Sequence, residues 1–167
     1  MPFLLGIVGS RTQAKKDHLL SVVTHHAKSD SIQTTTFNNG IVYAGCAKNE
    51  PITSDTIIPL AKSGFFVGKL FDKTNFSSAS FTSADIHAIT HNPKLVLKNW
   101  WGRYVGILHN NTTQRSTLLR DPQGLSTLFY YTQADSIIFS TDLALLYDCL
   151  EEKPSLDVDY FMEYVVD

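Results

Sequence analysis

Short apolar runs separated by glycine, proline and polar turns dominate the hydrophobic pattern of this 167-residue chain. The first run covers residues 3–8 and is closed by Gly9 and Ser10. A continuous apolar run of this length, bounded by turn residues, predicts a strand buried on both faces. Apolar residues at helical spacing come next and predict a helix with one buried face: Leu19, Val22, Val23 and Ala27.

Two β-rich runs flank Asn39 and Gly40, and this pattern predicts a hairpin, because Asn-Gly tolerates the positive φ angles of a tight turn. Residues 49–63 contain two prolines and are predicted to form a loop. The following stretch, GFFVGKLFDK, is typical of a strand with Gly68 inside it. A glycine within a strand indicates close approach of another backbone or of a ligand.

The second half of the chain alternates between helical and β patterns. A helix capped by Ser83 is predicted first, and residues 93–100 extend it. Four strand-like runs follow, and the last two form a hairpin across residues 133–135. Residues 142–150 form a helix capped by Thr141 or Asp142, and a further helix is expected after Pro154. Strands flanked by helices, with mostly antiparallel connections, predict an α+β fold of two stacked sheets between helical layers, as one domain over residues 1–167.

Composition excludes several classes of function. The net charge is −2, and no basic run suggests a nucleic-acid partner or an anionic membrane surface. No apolar run reaches the roughly 18–20 residues that span a bilayer. The short apolar run at the start lacks the charged region of a signal peptide. Cys46 and Cys149 lack CxxC spacing and are expected to be buried thiols in a reducing compartment, which predicts a cytoplasmic location.

Histidine pairs are the candidates for metal ligands. His87 and His91 have the helical spacing of a ligand pair, but no acidic third ligand lies nearby in the sequence. His25 and His26 are adjacent, so their rings lie about 100° apart on a helix and cannot easily share a metal ion. No metal site is therefore expected.

Residues 102–146 carry a group of motifs in a recognisable order. An RDPxG stretch is formed by Arg120, Asp121, Pro122 and Gly124. An aromatic strand follows at residues 129–131, and a strand with Phe139 then leads into an acidic helix cap. Together with residues 6–9 and Gly68, this order resembles the N-terminal glutamine-amidotransferase domain of asparagine synthetases. The resemblance implies an Ntn-type αββα fold of two mainly antiparallel sheets between helical layers. It also implies an architectural role for RDPxG, in which the charged pair and the turn fix a strand connection and Gly124 supplies a positive φ angle.

The chain departs from this family at the residues that carry the chemistry. In active members a cysteine directly before Gly-Ile attacks the glutamine amide, but Leu5 occupies that position here. Val67 stands before Gly68, where the family has the asparagine that stabilises the oxyanion. No arginine lies between Arg11 and Arg103 to clamp the glutamine carboxylate.

A degenerate pocket without a catalytic residue is therefore expected. Its predicted members are the residues that match the family's site: Leu5, Gly6, Val67, Gly68 and Lys69. Pro2 lies four positions before Gly6 and is expected outside this pocket.

These departures predict a catalytically degenerate domain, and the resemblance implies that it belongs to an ATP-dependent amide-forming enzyme similar to β-lactam synthetases and lasso-peptide cyclases. The domain would act as a scaffold or would dock a peptide substrate or partner protein. The resemblance implies a C-terminal synthetase domain that uses ATP and Mg²⁺. No cofactor is expected in these 167 residues, and this chain alone is expected to be inactive. Two alternatives are a stand-alone protein-interaction module with the same fold and a fragment of a true glutamine-dependent asparagine synthetase.

Overall fold

A computed structural model describes residues 2–9, 13–48 and 57–153. The helices and strands within these residues are β1 (Pro2–Val8), α1 (Gln13–His26), β2 (Gln33–Phe37), β3 (Gly40–Cys46), β4 (Ile57–Pro59), β5 (Gly64–Asp72), α2 (Ser83–His91), α3 (Lys94–Asn99), β6 (Trp100–Asn110), β7 (Arg115–Arg120), β8 (Phe129–Gln133), β9 (Ser136–Ser140) and α4 (Leu143–Asp148). The helix predicted after Pro154 lies outside the described residues.

The described strands form two antiparallel sheets, which confirms the predicted α+β class. The first sheet has five strands in the order β2-β3-β1-β9-β8, and the second has four in the order β4-β5-β6-β7. Every strand pair in both sheets is antiparallel. The apolar first strand is the middle strand of its sheet, where both of its faces are covered.

Three apolar clusters show how the layers pack. One cluster joins the first sheet to α1 and α4 and contains Leu5, Leu19 and Leu145. A second lies between the two sheets and contains Leu4 and Val105. The third joins the second sheet to α2 and α3. Each sheet can pack on both faces, because successive side chains of a strand point to opposite faces. The layers therefore follow the order helices, sheet, sheet, helices.

Several local features of the structure differ from the predictions. Thr82, not Ser83, caps α2, because its side chain and that of Asp85 bond each other's backbone amides in a capping box. Helix α3 is separate from α2, since the chain turns at Asn92 and Pro93. Part of the predicted loop is a strand, β4, at the edge of the second sheet, where Pro59 can be accommodated.

The predicted Asn-Gly hairpin forms, but its turn lies one residue earlier. Gly40 pairs with Phe37 within the ladder, so Asn38 and Asn39 make the turn. A Cβ atom at Gly40 would lie 2.3 Å from the carbonyl oxygen of Ile7 on β1. The glycine therefore allows close approach of a neighbouring strand rather than a positive φ angle.

Candidate functional site

A cavity of about 460 Å³ opens between the two sheets beside the start of β1. A volume of this size falls within the range of small-molecule and peptide side-chain sites, which is roughly 300–1,000 Å³. The lining comes from β1, the β5–β6 ribbon, the turn after β7 and the start of α4. It consists of Pro2, Phe3, Val67, Gly68, Lys69, Arg103, Val105, Ser126, Thr127, Thr141, Asp142 and Leu143.

The β5–β6 ribbon presents three successive cross-strand pairs on the face that carries the cavity. Val67 lies opposite Val105, Lys69 opposite Arg103, and Phe71 opposite Trp101. These positions are two residues apart on each strand, so they share one face of the ribbon. The valines belong to the core between the sheets, whereas both cations are exposed. The Phe71 and Trp101 rings pack with centroids 5.0 Å apart. The face thus changes outward from apolar to cationic to aromatic.

Two glycines bracket the cationic pair. Gly68 has a φ of 118° and Gly102 a φ of 135°, which are backbone conformations that other residues rarely adopt. A Cβ atom at Gly68 would lie 2.2 Å from the carbonyl oxygen of Arg103, and one at Gly102 would lie 2.1 Å from that of Lys69. The prediction that Gly68 marks close approach of a backbone is confirmed. The two glycines bring the strands together at the point where Lys69 and Arg103 face each other.

The cationic pair is unusual because like charges directly across a ladder repel each other. Within the described ranges, neither Lys69 nor Arg103 forms an ion pair with a carboxylate. The one acidic side chain in the described lining, Asp142, is already engaged. Its Oδ1 atom accepts hydrogen bonds from the backbone amides of Ala144 (2.8 Å) and Leu145 (3.3 Å) and so caps α4.

Hydroxyl groups occupy the other side of the cavity. The amide of Leu4 donates a hydrogen bond of 2.9 Å to Thr141 Oγ1, and the Thr141 amide donates one of 2.9 Å to the Leu4 carbonyl. This exchange fastens the end of β9 to β1 at the cavity wall. Ser126 and Thr127 belong to the turn that follows the RDPxG stretch.

The RDPxG turn is held by Asp121. Its carboxylate accepts hydrogen bonds from the amides of Leu125 (2.9 Å) and Ser126 (2.8 Å). Burial raises the pKa of Asp121, but the hydrogen bonds from Leu125, Ser126 and Gln123 together lower it by more, so its pKa lies below the ordinary value. Gly124 has a φ of 69°, as predicted. Arg120 is exposed and forms no ion pair with Asp121 among the described contacts, so the carboxylate and the backbone amides fix this connection.

The structure separates the five residues predicted for the pocket. Val67, Gly68 and Lys69 line the cavity, but Leu5 and Gly6 do not. Leu5 is fully buried on the opposite face of β1, beneath α1 and α4. At Gly6 the space between the sheets is filled, since a Cβ atom there would meet the side chains of Phe139 (2.5 Å) and Val42 (2.9 Å). Pro2, which was expected outside the predicted pocket, lines this cavity.

Neither cysteine lines the cavity. Both are free and buried, Cys46 between the sheets and Cys149 beneath α4. Burial and, to a lesser extent, the nearby charge of Asp148 raise the pKa of Cys149 to about 12, so its thiolate form is disfavoured at neutral pH. Within the part of the chain that the structure describes, no group of three or more His, Cys, Asp or Glu residues could hold a metal ion.

Sequence reasoning missed nine of the twelve residues that line the cavity, among them Arg103, Thr141 and Asp142. Arg103 is separated from Lys69 by 33 intervening residues, and only the register of β5 against β6 brings the two together. The glycines at 68 and 102 were visible in the sequence, and each adjoins one of the cations. That pattern indicates a close strand crossing but does not reveal which strands cross.

No protein-family model matches this chain, and no curated protein matches it. None of the helices in the described residues is both long and apolar enough to cross a membrane.

Proposed function

We propose that this chain is a non-hydrolytic amidotransferase-like domain of an ATP-dependent amide-forming enzyme of the asparagine-synthetase type. In this proposal the domain has an Ntn-type fold, lies in the cytoplasm and acts as a scaffold that docks a peptide substrate or a partner protein. ATP and Mg²⁺ would act in a synthetase domain outside these 167 residues. Two antiparallel sheets between helical layers agree with such a fold, and two free buried cysteines agree with a reducing compartment.

One observation carries the non-hydrolytic part of the proposal: none of the described residues that line the cavity between the sheets is a cysteine. Hydrolysis of glutamine by this class of enzyme requires a thiolate nucleophile beside a base. The two thiols of the chain are buried in the cores on either side of the first sheet. Among the lining hydroxyls, Thr141 Oγ1 is engaged by the Leu4 amide and serves the backbone.

A docking role is supported by the apolar surface around the cavity mouth. Leu143 lines the cavity and is 56% exposed, and Leu125, next to the lining residue Ser126, is 55% exposed. Trp101 is 44% exposed at the outer end of the β5–β6 ribbon. Exposed large apolar side chains in a cavity lining and beside its residues are typical of a surface that binds another molecule.

The direct test is release of ammonia from L-glutamine by the purified chain. We expect no release above that of buffer, and the Cys46→Ala and Cys149→Ala variants should behave like the parent. Ammonia release that disappears in either variant would show that a thiol reaches a substrate, and it would overturn the non-hydrolytic proposal.

A second test addresses the proposed partner domain. The reading frame that follows Asp167 in the genome should encode a pyrophosphate-binding loop of the Ser-Gly-Gly-x-Asp-Ser type within a synthetase domain. A stop codon at that point would instead favour the alternative of a stand-alone interaction module with the same fold.

A further inference from the structure

We infer that the Lys69–Arg103 pair is a carboxylate-binding site whose ligand is an acidic side chain within a peptide, flanked by apolar residues. This inference rests on the proposed docking role and specifies the chemistry that the cavity selects. It depends on three features of the β5–β6 ribbon: the charge of the pair, the layers on either side of it and the backbone that holds it.

The charge of the pair points to an anionic ligand. Two cations face each other across the ladder, although neither has a carboxylate partner among the described residues. A ligand carboxylate placed between them would relieve their mutual repulsion and could accept hydrogen bonds from both. The planar guanidinium of Arg103 can bind a carboxylate through two parallel hydrogen bonds, whereas the Lys69 ammonium acts as a point charge.

The apolar pairs on either side of the two cations indicate that the ligand carboxylate belongs to a side chain within a peptide rather than to a chain terminus. Val67 and Val105 lie on the inner side of the cations, and Phe71 and Trp101 lie on the outer side. A ligand with apolar groups on both sides of its carboxylate covers both layers. A terminal carboxylate has an apolar group on one side only and would contact only one of these two pairs.

The backbone fixes the Cα positions of Lys69 and Arg103 opposite each other before any ligand arrives. Gly68 and Gly102 allow the strands to approach so closely that a Cβ atom at either position would overlap a carbonyl oxygen of the other strand. Because the strands are already ordered, binding has to order only the two exposed side chains, which lowers its entropic cost.

The same features disfavour a polyanion such as a nucleic acid or a membrane surface. The described cavity lining holds two cations and one carboxylate, Asp142, and the chain as a whole carries a net charge of −2. Nucleic-acid sites instead rely on many cations that contact successive phosphates.

The test compares two short peptides that differ only in one side chain. Acetyl-Val-Glu-Val-amide carries the carboxylate, and acetyl-Val-Gln-Val-amide is its neutral counterpart of the same size. Binding to the full chain is followed by NMR, through the backbone amides of the β5–β6 ribbon, over a concentration series. We expect the Glu peptide to bind at least tenfold more tightly than the Gln peptide, and its affinity to fall as salt increases.

Variants of the pair assign the effect to these residues. Lys69→Gln and Arg103→Gln should each weaken binding of the Glu peptide at least tenfold and leave the Gln peptide unaffected. Lys69→Arg keeps the charge and should retain most of the affinity. The matched control is Arg115→Gln. This variant also removes one exposed positive charge, but from β7, where Arg115 pairs with Asn110 at the opposite end of β6. Thermal unfolding midpoints within a few degrees of the parent would show that the variants are folded.

Three results would overturn the inference: no detectable binding of either peptide, equal affinity for both, or an equal loss in Arg115→Gln. Tighter binding of acetyl-Val-Gln-Val with a free terminal carboxylate would also overturn it, because the ligand would then be a chain terminus. These outcomes are separate from the glutamine assay. Peptide failure without ammonia release leaves the non-hydrolytic proposal standing, whereas ammonia release together with selective peptide binding overturns only that proposal.

Discussion

Replacing Gly68 by alanine tests the strand crossing that positions Lys69 and Arg103. At Gly68 the φ of 118° strains any residue with a Cβ atom, at a cost of about 1–3 kcal/mol. In addition, the new Cβ atom would lie 2.2 Å from the Arg103 carbonyl oxygen, and backbone displacement of this kind costs about 1–3 kcal/mol. Together these effects predict a loss of about 4 kcal/mol, or about 10 °C in the unfolding midpoint of a protein of this size.

Gly124→Ala provides the matched control. Gly124 also has a positive φ, 69°, but the nearest atom to a Cβ there is the end of the flexible Arg120 side chain at 3.3 Å. Only the left-handed backbone strain remains, so we expect a loss of about 1 kcal/mol. Urea and thermal unfolding of both variants give the comparison. If Gly68→Ala is no more destabilising than Gly124→Ala, the strands do not approach each other as described.

Three further predictions concern the caps and the buried polar groups. Thr82→Ala should cost about 1 kcal/mol in urea unfolding and Ser83→Ala almost nothing, because Thr82 forms the capping box; equal losses would refute this assignment. The pKa of Asp121 is lowered on folding, so its contribution is present above the unfolded pKa of about 3.9 and is lost as the pH falls through the folded value. Asp121→Asn should therefore lower the free energy of unfolding at pH 7 by about 1–2 kcal/mol. Its stability should also fall less steeply than that of the parent as the pH is lowered, and an equally steep fall would contradict this. Burial lowers the pKa of His109, whose ring stacks on Phe37, so the unfolded state takes up a proton first and stability falls below about pH 6.5. His109→Phe should flatten that fall, as measured by unfolding midpoints at pH 5 and pH 8, and a fall as steep as in the parent would assign it to other groups.

Local patterns were sufficient where the physical cause is local. The apolar run at residues 3–8 became β1, and the spacing of Leu19, Val22 and Val23 placed the buried face of α1 correctly. The cap of α2 was also readable, since Thr82 and Asp85 have the spacing of a capping box. Choosing Ser83 instead overlooked the carboxylate that bonds back to the cap.

The cavity could not be predicted in the same way, because it depends on which strands are neighbours. Lys69 and Arg103 belong to different segments, and only antiparallel pairing of β5 with β6 places them opposite each other. Strand β4 was missed because Pro59 suggested a loop, although an edge strand tolerates a proline. Pairing partners and edge positions are properties of the whole fold, and they leave little trace in a local window of sequence.

Leu5 shows that a motif match along a strand does not determine which face of the sheet a residue occupies, because neighbouring residues point to opposite faces. The resemblance to amidotransferases predicts that position 5 matches their nucleophile, but Leu5 faces α1 and α4, whereas Leu4 faces the second sheet. The Phe139 ring also fills the space between the sheets beside Gly6, so the cavity begins further along β1, at Pro2. A cysteine at position 5 would therefore be buried among the residues that pack against α1 and α4. The position that the motif match assigns to the nucleophile and the residues that line the cavity therefore do not coincide on β1.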